Sequence, residues 1–114
     1  MKVRGKVEKG KGEGERLGYP TANIPLKEKL ASGIYRGSVM IGGDTYSAAL
    51  FVNVAGTLLE AHVLDFTGDL YGKEIEVELK EKIRDVIPFE SEEQMRAIII
   101  DDILKIRSKS KSIG

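Results

Sequence analysis

The sequence predicts a mainly β chain: a small closed or nearly closed antiparallel barrel with one helix packed against it. Three observations carry that expectation. Short stretches rich in Val, Ile and Tyr recur as far as Arg84, divided by tight Gly turns. The last of them alternates apolar and charged residues with a period of two, and after Pro88 the period changes to that of a helix. With 114 residues, 41% of them hydrophobic and none of them Trp, the chain has the size of one domain, typically about 100–150 residues, and material for one modest core.

The elements follow in order. Val3 and Val7, spaced by Arg, Gly and Lys, suit an opening strand from Lys2 to Val7. Residues 10–18 then carry Gly10, Gly12, Gly14 and Gly18, too much backbone freedom for a helix or a regular strand, so a loop is expected. In the GYPTANIP that follows, the prolines fix φ and Thr and Asn side chains cap their own backbone. Two readings stay open there: a plain turn, or a rigid segment that holds the Thr21 hydroxyl and the Asn23 amide toward a ligand.

GIYRGSVMI and TYSAALFVNV read as two strands of a hairpin joined at Gly42-Gly43-Asp44. Ala55-Gly56 breaks the chain, and TLLEAHVLDF, from Thr57 to Phe66, is apolar enough for a central strand. TGDLYG interrupts again. From Lys73 to Arg84, Ile75, Val77, Leu79 and Ile83 fall on one face and Glu74, Glu76, Glu78, Lys80 and Lys82 on the other, as in a half-buried antiparallel strand. Ser91 and Gln94 form a capping box, Glu92 and Glu93 favour a helix N-terminus, and Met95, Ile98, Ile99, Asp102, Ile103 and Ile106 share a helical face with one polar interruption. The closing SKSKSIG is polar and expected to fray.

Charge and composition exclude several function classes. Basic and acidic side chains balance at 18 each, which speaks against an electrostatic grip on nucleic acid. Aromatic residues amount to 6%, few for a barrel that stacks bases. The absence of Cys and the presence of a single His, His62, exclude thiolate and His-rich zinc sites, so a metal partner would be a hard one. No apolar run approaches the roughly 20 residues that span a bilayer, and MKVRGKVEKG lacks the apolar core of a signal peptide. The expectation is a cytoplasmic, soluble monomer whose partners are small molecules rather than nucleic acid or membrane.

Three features bear chemistry. Glu60 and His62 lie one pleat apart on the same strand face, against Leu59, Ala61 and Val63 on the other. They are either a mutually paired surface couple or, in a partly desolvated pocket, a general base and its neighbour. Gly-rich backbone can direct N–H groups at phosphate oxygens, although this loop lacks the Lys-Ser/Thr ending of a Walker loop and a floppy connection serves equally. Thr21 supplies a hydroxyl of the kind that ligates Mg²⁺, which takes only one or two protein oxygens beside phosphates and water.

Taken in order, G-x-G-x-G, LGYPTANIP, SGIYRG, LEAHVLDFTGDLYGKEIEV and KIRDVIPFESEEQMRAIIIDDI resemble the riboflavin kinase (flavokinase) family from about Val7 to Ile103. PTAN at 20–23 and the word that runs from Glu60 to Gly72 are the most specific. The resemblance implies a six-stranded Greek-key barrel with a C-terminal α-helix that transfers the γ-phosphate of ATP to the 5′-hydroxyl of riboflavin, giving FMN, with Mg²⁺ or another divalent ion. On that likeness Glu60 is the catalytic base. Gly10, Gly12, Gly14, Thr21 and Asn23 bind the nucleotide, Thr21 also binds the metal, and Arg84 and Phe89 lie on the flavin side.

The chain departs from the family pattern in two places. Glu13 and Glu15 stand in the glycine loop where members usually carry basic residues, so carboxylates face a polyphosphate with only Lys11 and Arg16 to offset them. The loop that usually follows the N-I-G word is shortened to VNVAGTLLE, with Asn53 matching the Asn of that word. Residues 1–114 read as a single kinase-like barrel, without the adenylyltransferase domain that precedes it in many bacteria. The alternative is a catalytically weak or inactive barrel that binds flavin or nucleotide.

Overall fold

The computed structural model describes residues 1–8, 21–66, 70–86 and 91–111. Six strands and one helix follow in the order β1 (Lys2–Lys6), β2 (Thr21–Pro25), β3 (Gly33–Ile41), β4 (Asp44–Val52), β5 (Leu58–Val63), β6 (Glu74–Arg84) and α1 (Glu92–Lys111). All pairings are antiparallel, in the spatial order β1-β6-β3-β4-β5-β2. The two edge strands then meet. Glu8 bridges to Asn23, its N–H donating to the Asn23 carbonyl at 2.8 Å, and this contact nearly closes the sheet into a barrel. A Cβ on Gly5 would come within 2.5 Å of the Ile24 side chain, so the missing side chain is what lets β1 approach β2.

The expected hairpin forms with Ile41 paired to Asp44 across Gly42-Gly43, both of which have positive φ. The interior of the barrel is filled from every strand, and Ile24, Val39, Leu50, Val52, Leu59 and Val77 are fully buried. Each such side chain contributes about 1.5–3 kcal/mol by leaving water. β4 is buried on both faces at its centre: Leu50 points into the barrel, whereas Ala49 lies under α1 with Leu64, Ile103 and Ile106. Helix α1 thus packs on the outside of the barrel. The Ser91 hydroxyl accepts the Gln94 N–H at 3.1 Å, the expected N-cap.

Three details differ from the sequence expectation. TANIP is strand β2, paired with β5, rather than a turn; Pro25 ends it on a sheet edge, where a missing N–H is tolerated. Ile83 leaves the barrel face that Ile75, Val77 and Leu79 share and packs, as Ile99 does, against the cluster of Ala49, Leu64, Ile103 and Ile106 under the helix. The cause is a register shift: from Gly37↔Leu79 to Tyr35↔Lys82, β3 advances two residues and β6 three, which reverses the alternation. The helix also continues past Ser108 to Lys111 rather than fraying at the start of SKSKSIG.

Two forks pin α1 to the barrel. Arg84 on β6 donates from Nε and Nη2 to the two carboxylate oxygens of Asp102 at 3.0 and 2.8 Å, and from Nη1 to the Asp85 carbonyl at 2.9 Å. Arg107 donates to both oxygens of Asp65 at 2.9 and 3.1 Å, and the guanidinium holds that carboxyl below its ordinary range. Asp65 itself has φ of 59° in the turn after β5, a conformation that Asp tolerates better than most residues. Among the described residues no helix is long and apolar enough to cross a membrane.

Candidate functional site

The alternation of β5 sends Leu59, Ala61 and Val63 into the barrel and Glu60 and His62 outward. Its two neighbours determine what these residues meet. On one side Thr21 is opposite His62 and Asn23 opposite Glu60; on the other Ala49 is opposite His62 and Phe51 opposite Glu60. The two most specific sequence words therefore lie in register on adjacent strands. Asn23 is buried, Glu60 and Phe51 are half-buried, and His62 is only 7% exposed.

Glu60 and His62 contact each other directly, with Nε2 of the imidazole 3.0 Å from Oε1 of the carboxylate. The other ring nitrogen, Nδ1, is buried without a hydrogen-bond partner among the described residues. The pairing that the sequence left open is thus made, on a surface that is neither core nor open solvent. A half-buried carboxylate with one oxygen engaged can still accept a proton at the other.

Both described ends of the glycine-rich segment stand at this face. Glu8, before it, is bonded to Asn23, and Thr21, after it, begins β2. Gly10, Gly12, Gly14, Glu13, Glu15 and Phe89 lie outside the described residues, as does the side chain of Thr21. Of the two residues that the resemblance sets at the metal and phosphates, Asn23 is the one whose side chain is described, and its amide oxygen is a hard donor of the kind Mg²⁺ accepts. No group of three His, Cys, Asp or Glu able to hold a metal occurs among the described residues. Hard oxygens from one or two residues suit an ion that completes its shell with phosphate oxygens and water.

Arg84 stands apart from Glu60 in its engagement. Its guanidinium is committed to Asp102 and to the Asp85 carbonyl, at the start of the segment that leads into α1. Asn53 organises the short turn between β4 and β5: its Oδ1 accepts the N–H groups of Thr57 and Leu58 at 2.8 and 3.1 Å, and its Nδ2 donates to the Thr57 hydroxyl at 3.1 Å. Gly56, at φ 72°, completes that turn, and its carbonyl accepts the Leu30 N–H at 3.2 Å. The shortened connection is therefore an ordered turn that braces the stretch after β2. Sequence reasoning did not single out Phe51 and Ala49 as neighbours of Glu60 and His62, because cross-strand register is not written in either strand alone.

The sequence matches the family model described as Flavokinase: Riboflavin kinase over residues 1–110. The chain belongs to the riboflavin kinase family. A bifunctional riboflavin kinase/FMN adenylyltransferase of Pseudomonas fluorescens is 33% identical over 117 aligned positions, covering 95% of this chain and 38% of that protein. Among solved structures, one described as a macrolide-efflux protein from Streptococcus pneumoniae superposes with a TM-score of 0.78 at 31% identity, over 94% of this chain and 36% of that one. Riboflavin kinase from Trypanosoma brucei superposes with a TM-score of 0.68 at 24% identity, over 96% and 76%, a likeness of fold. The chain thus spans well under half the length of the curated bifunctional relative that it matches.

Proposed function

We propose that this chain is a riboflavin kinase that transfers the γ-phosphate of ATP to the 5′-hydroxyl of riboflavin, releasing FMN and ADP, with Mg²⁺ or a similar divalent ion. The observation that carries the proposal is the register of β2 against β5, which sets Asn23 opposite Glu60 and Thr21 opposite His62 on one outer face. Phosphoryl transfer asks for little covalent help from a protein: positioning, neutralisation of phosphate oxygens, and a base for the nucleophile. The register sets two of the residues proposed for those parts, Asn23 and Glu60, side by side.

In this reading Glu60 accepts the proton of the 5′-hydroxyl as its oxygen bonds to the γ-phosphorus, while the bond from that phosphorus to the bridging oxygen breaks and ADP leaves. Thr21 and Asn23 hold the metal and the nucleotide phosphates; the divalent ion supplies charge neutralisation at the phosphoryl oxygens. Gly10, Gly12 and Gly14 offer backbone N–H groups to the nucleotide. Arg84 and the segment from it to the start of α1, including Phe89, lie on the flavin side.

Incubation of the purified chain with riboflavin, Mg²⁺ and each of ATP, CTP and GTP, followed by chromatographic separation of FMN from riboflavin, tests the proposal. FMN is expected with ATP. Flavin binding without FMN from any donor would replace the kinase with a binding barrel, the reading that Glu13 and Glu15 in the glycine loop favour.

A further inference from the structure

Glu60 needs more than a place on β5. A Glu side chain has three rotatable bonds, and a base that swings loses the near-attack geometry on which its effect depends. His62 is the group that touches it, at 3.0 Å from Nε2 to Oε1. A carboxylate only accepts hydrogen bonds, so the proton in this contact sits on Nε2. At the other end of the ring Nδ1 is buried and unpartnered among the described residues. The contact therefore fixes the donor as Nε2–H, whatever the state of Nδ1.

The imidazole itself is held. His62 is 7% exposed on a strand flanked by β2 and β4, opposite Thr21 and Ala49. The small Ala49 opposite leaves room for the ring on this face, and its burial restricts its movement. A single donor on one carboxylate oxygen, unlike the two-pronged grip of a guanidinium, fixes the side chain without occupying both oxygens. The second oxygen remains for a substrate hydroxyl.

We infer that His62 is the positioning residue of this site, an Nε2–H donor that holds Glu60 in the orientation in which its other oxygen takes the proton of the ribityl hydroxyl. The inference rests on the assignment of Glu60 as the base, and it adds a role for a residue to which the reading above gave none.

The chain contains one His, so a long-range ¹H–¹⁵N correlation spectrum of the wild-type protein at neutral pH reads the tautomer without assignment. A protonated Nε2 is expected; an Nδ1–H tautomer with a bare Nε2 would overturn the inference. Kinetics of His62→Leu, His62→Gln and Glu60→Gln complete the test. His62→Leu should lower kcat by about a hundredfold, the scale of a base displaced by about 1 Å, with KM for riboflavin nearly unchanged. His62→Gln, whose amide N–H lies near the position of Nε2–H, should recover most of that loss. Wild-type kcat in His62→Leu, beside an inactive Glu60→Gln, would remove His62 and leave the base in place. Wild-type kcat in Glu60→Gln would remove the base assignment and His62's role with it. If the wild-type chain makes no FMN at all, the kinase reading and the positioning role fall together.

Discussion

Among the acid–base pairs on the outer face of the barrel, two are built to opposite specifications. Arg84 and Asp102 are joined by two hydrogen bonds, with 16% and 5% of their side chains exposed, and the last arm of the guanidinium is taken by the Asp85 carbonyl. Glu60 and His62 share a single contact, leave Nδ1 without a partner among the described residues, and expose 23% of the Glu side chain. A saturated pair of the first kind docks an element. A pair with unused capacity on a half-buried face is suited to chemistry. The contrast separates a pair that docks α1 from a pair with capacity left for a proton, the part that the proposed function gives to Glu60.

Removing one partner of the docking pair should give the largest stability effect. Asp102→Ala leaves the Arg84 guanidinium charged and poorly matched under the helix, and a broken buried pair costs about 3–5 kcal/mol, to be measured by urea unfolding. The double variant Arg84→Met/Asp102→Leu should regain much of this, because two apolar side chains of similar volume remove the charge along with the bond. A smaller loss follows from Ser91→Ala, which deletes the hydroxyl that caps Gln94 N–H at the start of α1; about 1 kcal/mol is expected from the same unfolding experiment. None of these three variants alters the β5 face, so a loss of FMN formation beyond the loss of folded protein would report on the flavin side to which the proposed function assigns Arg84.

The weakest effect belongs to the second pin of the helix. The hydrogen bonds and charge of Arg107 depress the Asp65 carboxyl below its ordinary value of 3.8. Its contribution is then fully present above about pH 4 and is lost as pH falls through the depressed folded-state value, because the unfolded chain takes up the proton first. Asp65→Asn should flatten the acid limb of the stability curve only slightly, since the pair is exposed and surface pairs contribute little. A large change at neutral pH would mean that this fork, and not Arg84–Asp102, is the principal attachment of α1.

Much of the barrel is legible in the sequence, for physical reasons that particular strands illustrate. The β3–β4 hairpin and the N-cap at Ser91 are local: turn glycines, alternation and a hydroxyl three residues before the N–H it caps. Strand β2 is not legible as a strand, since TANIP is short, ends in Pro and draws its pairing from β5, far along the chain. Alternation alone assigns Ile83 to the barrel interior, because a register shift leaves no mark on an alternating pattern. At the site, the shared face of Glu60 and His62 follows from the period of a strand, and so is readable. Their contact with each other, and the arrival of Thr21 and Asn23 beside them, depend on tertiary register and rotamers.

The most direct test of the account is a side-by-side comparison of wild type and Glu60→Gln, with turnover of riboflavin to FMN and thermal unfolding measured on the same samples. The amide keeps the size of the side chain and an acceptor for His62 but loses the base. Turnover should fall by about 10²–10⁴, with the melting temperature and riboflavin binding nearly unchanged. Wild-type turnover in Glu60→Gln would show that the open pair on β5 is only another surface couple and that the base lies elsewhere.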